Sequence, residues 1–236
     1  MNFAVRRKNV DAATAAFALG GLEARADVRG ALYLPELRLM VVSDLHLEKG
    51  AANARRGRMV PPYDTATTLS LLGRSLALFS PQTVVSLGDS FDDRVGAEHM
   101  PDIFRERLTG LMAGRDWIWV SGNHDPDPPK DLGGLCAEEI AIGTLAFRHH
   151  PTRRASPGEV AGHLHPGARV VQRGRSVSRR CFATDGVRLV MPAYGAYTGA
   201  LNIRDRAFAG IFAEDSLVAW MLGTERLYAV PGRRLA

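Results

Sequence analysis

Two patterns of apolar positions alternate along this chain of 236 residues. In one, a short apolar run stops abruptly at a polar cluster. In the other, apolar residues recur every three or four positions. Unbroken runs of this length have the composition of buried strands. Leu37 to Val42, Thr83 to Leu87, 116–120, Leu145 to Arg148 and Glu159 to Ala161 fit that description. Leu69, Leu72, Leu76 and Phe79 follow at spacings of three, four and three, which predicts a helix capped by Asp64 or Thr65 and ended by Pro81. Pro101 opens a second helix, with Phe104, Leu108 and Leu111 as its inner stripe and Gly114 at its end. Strands and helices in this alternation describe an α/β domain.

The flanks are different. Between Ala15 and Leu34, Gly20-Gly21 and Arg29-Gly30 read as turns between short strands. Beyond residue 165 the pattern is β-rich: Ala168 to Gln172, Cys181 to Thr184 and Val187 to Met191 are strands, with Asp185-Gly186 as a hairpin turn. Leu217 to Leu222 and Leu227 to Val230 make a last hairpin. Residues 1–14 are basic and Ala-rich without a period, and a flexible tail is expected there. Without a repeat, a low-complexity tract or a linker, 15–236 is expected to be a single domain.

Composition changes the picture little. Hydrophobic residues make up 46% and charged residues 23%, an ordinary globular balance. The net charge is +5, and all but Lys8, Lys49 and Lys130 of the thirty basic residues are Arg, whose flat fork suits phosphate. Cys136 and Cys181 are isolated, which fits a reducing compartment and neither a disulfide framework nor a zinc knuckle. No apolar run approaches the ~20 residues of a membrane helix. Arg6-Arg7-Lys8 and the Ala-rich stretch after it imitate a secretory leader, but Asp11 interrupts a segment poor in large apolar residues. A cytoplasmic protein without membrane contact is expected.

The polar clusters carry the chemistry. Strands end in Asp44-Leu45-His46, Gly88-Asp89, Gly122-Asn123-His124-Asp125, His149-His150 and Gly162-His163-Leu164-His165. In open α/β sheets ligands bind outside the carboxyl ends of strands, so the five clusters are expected to converge. Each alone is an ordinary turn or cap; five in succession are hard to explain as turns. Asp44, His46, Asp89, Asn123, His149, His163 and His165 offer more donors than one tetrahedral zinc takes. They suit two divalent ions that share a carboxylate, with Mn²⁺ favoured and Fe or Zn also compatible. Two such ions ~3.5–4 Å apart can hold a hydroxide for in-line attack on phosphorus. His124 is left to assist the leaving oxygen, with Asp92 to orient it. Either His149 or His150 could be the ligand; His149 is preferred because it alternates with Phe147 and Leu145 on one strand face.

Together these blocks resemble the calcineurin-like metallophosphoesterases. The resemblance implies a four-layer α/β (α+β) sandwich of two mixed sheets flanked by helices. It implies that Asp44, His46 and His165 hold one metal, that Asn123, His149 and His163 hold the other, that Asp89 bridges, and that His124 is catalytic. Asp44 to Lys49, Arg55-Arg56-Gly57, Gly162 to Pro166 and Pro192 to Gly199 are similar to bacterial DNA-ligase-associated phosphoesterases of the DNA damage response. That similarity implies a DNA nuclease working with a DNA ligase and a helicase. Glu48 departs from the wider family, where a small residue is more usual.

A phosphate ester is thus the expected substrate. Arg55, Arg56 and Arg58 are placed to line the mouth of the site. Arg153-Arg154 and the arginines at 169, 173, 175, 179 and 180 follow later blocks and suit a nucleic-acid backbone. Tyr63, Tyr194 and Tyr197 offer faces on which bases stack. A DNA phosphodiesterase leads; a small-molecule phosphoesterase acting on a nucleotide, cyclic nucleotide or lipid-linked diphosphate is the alternative, and a non-catalytic scaffold comes third.

Overall fold

The computed structural model describes residues 13–127, 129–153 and 157–236. Most of the expected tail, and Arg154, lie outside them; Thr14 already belongs to the first strand. A meander of β1 (Thr14–Leu19), β2 (Leu22–Asp27) and β3 (Leu32–Leu34) runs antiparallel into β4 (Leu39–Val42). From there β5 (Thr83–Leu87), β6 (Asp116–Val120) and β7 (Leu135–Ala137) continue in parallel, so the seven strands lie in sequence order. Three helices accompany this sheet: α1 (Lys49–Arg55), α2 (Asp64–Phe79) and α3 (Asp102–Met112).

The second sheet holds nine strands. They are β8 (Glu139–Ile142), β9 (Leu145–Arg148), β10 (Glu159–Ala161), β11 (Pro166–Gln172), β12 (Arg175–Thr184), β13 (Leu189–Val190), β14 (Leu201–Asn202), β15 (Val218–Leu222) and β16 (Leu227–Pro231). The main path runs β14-β11-β12-β13-β10-β9-β8, and β15 also pairs with β12 and carries β16. The sheet is mixed: β9, β10 and β13 are parallel, whereas β11, β12 and β15 are antiparallel.

The layers explain the apolar runs. Val41, Val85, Leu87, Ile118 and Val120 face Phe147, Val160 and Phe182 of the second sheet. Met40, Val42, Val84, Trp117 and Trp119 point the other way, onto Leu69, Leu72, Leu76 and Leu108 of α2 and α3. Strands buried on both faces read as continuous apolar runs and not as alternation. On the outer face of the second sheet, Cys181, Ala183, Val190 and Ala219 are covered by Ile203, Phe208, Ile211 and Leu217 from a segment of short 3₁₀ turns. Among the described residues, no helix is long and apolar enough to cross a membrane.

Local chemistry departs from expectation in three places. The residues expected to cap α2 serve α1: the Asp64 carboxylate accepts from Gly50 N at 3.0 Å, and the Thr65 hydroxyl accepts from Glu48 N at 2.8 Å. The N-cap of α2 is Tyr63, without a side-chain bond. Helix α1 was not among the expected elements; it takes in Arg55, and Arg56-Gly57-Arg58 follow it as a turn and loop. Asp185-Gly186 does lie between antiparallel strands, but within four residues, with Asp185 Oδ1 accepting from Val187 N and Arg188 N at 3.0 and 2.8 Å.

Candidate metal centre

Parallel strands place the five polar clusters at one edge, and the backbone there is held in an uncommon conformation. Asp44, His46, Glu48, Asp89, His163 and His165 have φ between 44 and 66°, six of the nine non-glycine residues with positive φ among those described. Each costs roughly 1 kcal/mol or more and persists only where its surroundings hold it. Here the two first loops are zipped together. Asp44 N donates to Gly88 O at 3.2 Å, His46 N to Asp89 O at 2.9 Å and Leu47 N to Ser90 O at 2.9 Å. From the far side Gly195 N donates to Asp44 O at 3.1 Å.

Two glycines are required by close approach. A Cβ on Gly122 would overlap the backbone nitrogen and carboxylate of Asp89. One on Gly162 would overlap the Ser43 hydroxyl and stand 2.8 Å from the Asp44 carboxylate. The turns therefore let the ligand-bearing loops touch.

The side chains converge on two carboxylates. Asp44 Oδ1 lies 3.0 Å from His165 Nε2, and its Oδ2 accepts from the Ser43 hydroxyl at 2.5 Å and from His163 N at 3.1 Å. Burial acts to raise the Asp44 carboxyl, but the His165 and His149 imidazoles and these hydrogen bonds hold it below the usual range. Asp89 Oδ1 accepts from His124 N at 2.9 Å. Its Oδ2 is central: it lies 3.4 Å from His149 Nε2, 3.9 Å from His46 Nε2 and 4.0 Å from His124 Nε2. Burial is again outweighed, chiefly by His149, and Asp89 is held far below the usual carboxylate range.

A main-chain carbonyl fixes the orientation of His149. His149 Nδ1 lies 3.0 Å from Leu87 O, which leaves Nε2 for the site, 3.0 Å from Asn123 Oδ1. Burial opposes its charge, yet Asp89 and Asp44 push the His149 imidazole up to about 9. His163 is pushed down to about 4 by burial and by the neighbouring His150 and His149. His150 is exposed, and its ring centroid lies 4.0 Å from that of His163. Both histidines of the pair thus approach His163, and the buried one, His149, also reaches Asp89 and Asn123.

Asp92 is placed differently from the expectation. Its carboxylate lies within 4.8 Å of His124 but makes no hydrogen bond with it: Oδ1 lies 3.0 Å from His46 Nδ1 and 2.6 Å from Lys49 Nζ, and Oδ2 accepts from Arg56 at 3.1 Å. His124 is oriented instead by the Asp92 main-chain carbonyl, 2.8 Å from Nδ1. Burial raises the Asp92 carboxyl, but His46 and Lys49 bring it down to about 2. Of the three arginines expected at the mouth, Arg55 pairs with Asp93 at 2.7 Å and Arg56 with Asp92, so both tie α1 to the 89–93 loop; Arg58 is exposed. Tyr194 is buried with its hydroxyl 2.9 Å from Ser75, and no base can stack on it; Tyr63 and Tyr197 are exposed.

One contributor was not singled out from the sequence. Asp125 Oδ2 accepts from Ser90 N at 2.8 Å and Phe91 N at 3.1 Å, locking the 122–125 turn to the Asp89 loop. Burial pushes its carboxyl up to about 7. It was visible as the last residue of the Gly-Asn-His-Asp block, but an acid after a ligand carries no signal of its own.

The donor set fits divalent metal ions. Asp44, His46 and His165 present ligand atoms all within 4.8 Å of one another, as do His149, His150 and His163, and Asp44, Asp89 and His149. His46 Nε2 is buried without a hydrogen-bond partner among the described residues, an arrangement that costs free energy unless a ligand occupies it.

Comparison with known proteins agrees with this geometry. Among solved structures, one described as the crystal structure of Pseudomonas putida nuclease MPE superposes with a TM-score of 0.72 at 24% identity, covering 92% of this chain and 100% of that one. No significant match is found among curated proteins. The sequence pattern of the calcineurin-like phosphoesterases matches residues 37–190, more than half of the chain. With that match and the two mixed sheets beneath it, the chain belongs to the calcineurin-like phosphoesterase family and is a hydrolase of phosphate esters.

Proposed function

We propose that this hydrolase is a two-metal phosphodiesterase that cuts DNA. Asp44, His46 and His165 would hold one divalent ion and Asn123, His149 and His163 the other, with Asp89 between them and Mn²⁺ the favoured metal. The observation that carries the reading is Asp89 Oδ2, which lies within 4.0 Å of Nε2 of His46, His149 and His124. Bound there, the metals would supply an activated water and neutralise charge on the phosphoryl oxygens.

The chain itself supplies the proton. With Nδ1 of His124 donating to the Asp92 carbonyl, Nε2 is the position that exchanges a proton with the cleft. The protonated ring hands that proton to the leaving oxygen, and the tautomer that remains keeps its bond to Asp92. The Asp92 carboxylate fixes the ring of His46, and the Leu87 carbonyl fixes that of His149.

DNA as substrate is supported by the basic balance of the chain, by the nuclease described for the structural relative, and by the similarity of residues 44–49, 55–57, 162–166 and 192–199 to ligase-associated phosphoesterases. On this reading 15–236 is one catalytic unit that works in the cytoplasm beside a DNA ligase and a helicase.

The test is hydrolysis of bis-p-nitrophenyl phosphate against the monoester with added Mn²⁺, by wild type, Asp89→Asn and His124→Ala. The expected result is diester turnover that both substitutions abolish. Folded wild type that turns over neither ester with any divalent metal would overturn the reading.

A further inference from the structure

One stretch of the chain is strongly basic. Between Pro166 and Thr184 there are five arginines and no acidic residue, which leaves 25 basic and 25 acidic residues elsewhere. The whole formal net charge of +5 therefore equals the charge of β11, β12 and the turn between them. Residues 171–179 are all exposed, and Arg169 with them. Among the described residues, no carboxylate pairs with Arg169, Arg173, Arg175, Arg179 or Arg180. Arg55, Arg56, Arg105, Arg148 and Arg188 each have an acidic partner, whereas scattered arginines such as Arg58, Arg94 and Arg206 have none among the described residues; the hairpin differs in gathering five together without an acidic residue among them. Unpaired cations gathered on one projecting element are an electrostatic footprint for a polyanion.

The hairpin is built to project. Arg173 and Gly174 form its turn with φ of 49° and 73°, the two positive values that a tight two-residue hairpin needs. Residues paired across an antiparallel ladder share a face. Arg175 sits opposite Gln172, and Arg179 opposite Ala168, on one face; Arg180 opposite Gly167 and Ser178 opposite Arg169 lie on the other. At about 3.3 Å per residue the seven residues of β11 reach about 23 Å, long enough to follow several phosphates of a strand.

Its base adjoins the metal centre. β11 begins at the residue after His165, and Leu201 N donates to His165 O at 2.9 Å. A cavity of about 510 Å³ lies along the hairpin base, lined among others by Arg169, Arg179, Arg180, Asn202 and Thr224. Arg180 Nη1 donates to Ala193 O at 2.7 Å and to Gly195 O at 3.2 Å, and Gly195 in turn holds Asp44 O. Arg180 thus links the cavity lining to the segment that holds Asp44.

We propose that the β11–β12 hairpin is a nucleic-acid-binding arm. The strand leaving the metal centre passes the arginine-lined cavity and runs along the hairpin, held by its backbone phosphates. Readout is independent of base sequence, because guanidinium groups offer phosphates donors without a base-edge code. This rests on the phosphodiesterase reading above and names the substrate surface of that site.

The experiment compares wild type with Arg169→Ser/Arg175→Ser/Arg179→Ser, leaving Arg180 in place because it holds the 193–195 segment. Binding of a fluorescent DNA duplex is followed by anisotropy from 50 to 200 mM salt, and turnover of bis-p-nitrophenyl phosphate is measured in parallel. The triple variant is expected to lose at least tenfold in DNA affinity and to show a salt slope smaller by about two to three, one unit for each phosphate contact removed. Turnover of the small diester should stay within twofold, and the corresponding triple Lys variant should keep most of the slope. Unchanged DNA affinity and salt slope in the Ser variant would overturn the arm. So would wild-type binding to phosphatidylserine vesicles that the variant loses while DNA binding is untouched, which would make the hairpin a membrane contact. DNA binding needs no turnover, so an inactive wild type would overturn the phosphodiesterase reading without deciding this one.

Discussion

The Asp92 carboxylate holds His46, 3.0 Å from Nδ1, while its own main-chain carbonyl holds His124 at 2.8 Å. One residue therefore orients a metal-ligand candidate through its side chain and the proton-donor candidate through its backbone. Substitution separates the two. Asp92→Asn is expected to weaken Mn²⁺ affinity by about 10–100-fold, the usual effect of removing a partner of a ligating imidazole, and excess metal should restore much of the turnover. His124→Ala should lower kcat by about 10²–10⁴-fold with no rescue by metal. A Mn²⁺ titration of diester turnover reads both; an Asp92→Asn profile superimposable on wild type would contradict the assignment.

Metal uptake should depend on pH through His149. Without metal, Asp89 and Asp44 outweigh burial and raise this imidazole to about 9, so it carries a proton at neutral pH. Bound metal needs the neutral ring, and a proton must leave. Affinity at the site formed with Asn123 and His163 is therefore expected to rise with pH up to about 9, by as much as about tenfold per unit. The sign for stability is opposite in the metal-free protein. A folded value above the unfolded 6.5 contributes stability that is fully present below about pH 6.5 and is lost as pH climbs through about 9. Calorimetric Mn²⁺ titrations at pH 6.5 and 8.5, in two buffers of different ionisation enthalpy, measure both the affinity and the released proton. Equal affinity at the two pH values with no proton release would refute it.

Close approach of loops gives a prediction with an internal control. Gly162→Ala drives a Cβ into Ser43 and toward Asp44, in a loop already strained at His163 and His165. A loss of about 1–3 kcal/mol is expected, with weakened metal binding. Gly110 lies exposed in α3 with nothing within 4 Å of an added Cβ, and Gly110→Ala should gain about 0.5–1 kcal/mol from helix propensity alone. Urea denaturation of the two variants should shift the midpoint in opposite directions.

Much of the site was legible because ligands must be particular side chains at strand ends, and β4, β5, β6, β9 and β10 appear in the sequence as apolar runs that stop there. What escaped were relationships through backbone. The role of the Asp92 carbonyl has no side-chain signature, and Asp64 and Thr65 look like caps of their own helix while serving Glu48 and Gly50. The length of the β11–β12 hairpin was underestimated because Arg173-Gly174 lacks the Asn or Asp that usually marks such a turn, and because exposed residues 175–179 break the apolar pattern of β12. Strands β7 and β8 were missed since Leu135–Ala137 is three residues long and Glu139–Ile142 only four, with Ile140 and Ile142 half-buried toward the core.

The buried pair of Arg188 and Glu159 sets up the last prediction. Glu159 opens β10, the strand that delivers His163. Arg188 Nε lies 3.1 Å from Glu159 Oε2, its Nη1 donates to Ile211 O at 2.8 Å, and its Nη2 reaches Thr152 O. Glu159 Oε1 in turn accepts from Thr152 N at 3.0 Å. Both side chains are nearly inaccessible to water. Removing one partner leaves a charge in a place water cannot reach, so Arg188→Met is expected to cost about 3–5 kcal/mol. Arg148, 3.7 Å from Glu159 Oε1, is too distant and too poorly placed to compensate fully. Arg188→Met combined with Glu159→Leu removes both charges, and the pair should cost less than the sum of the single substitutions by about 1–3 kcal/mol. Urea unfolding of the metal-free single and double variants completes the cycle. Additive losses would mean that the two side chains act through their own backbone contacts, Ile211 O and Thr152 O for Arg188 and Thr152 N for Glu159, and not as a pair.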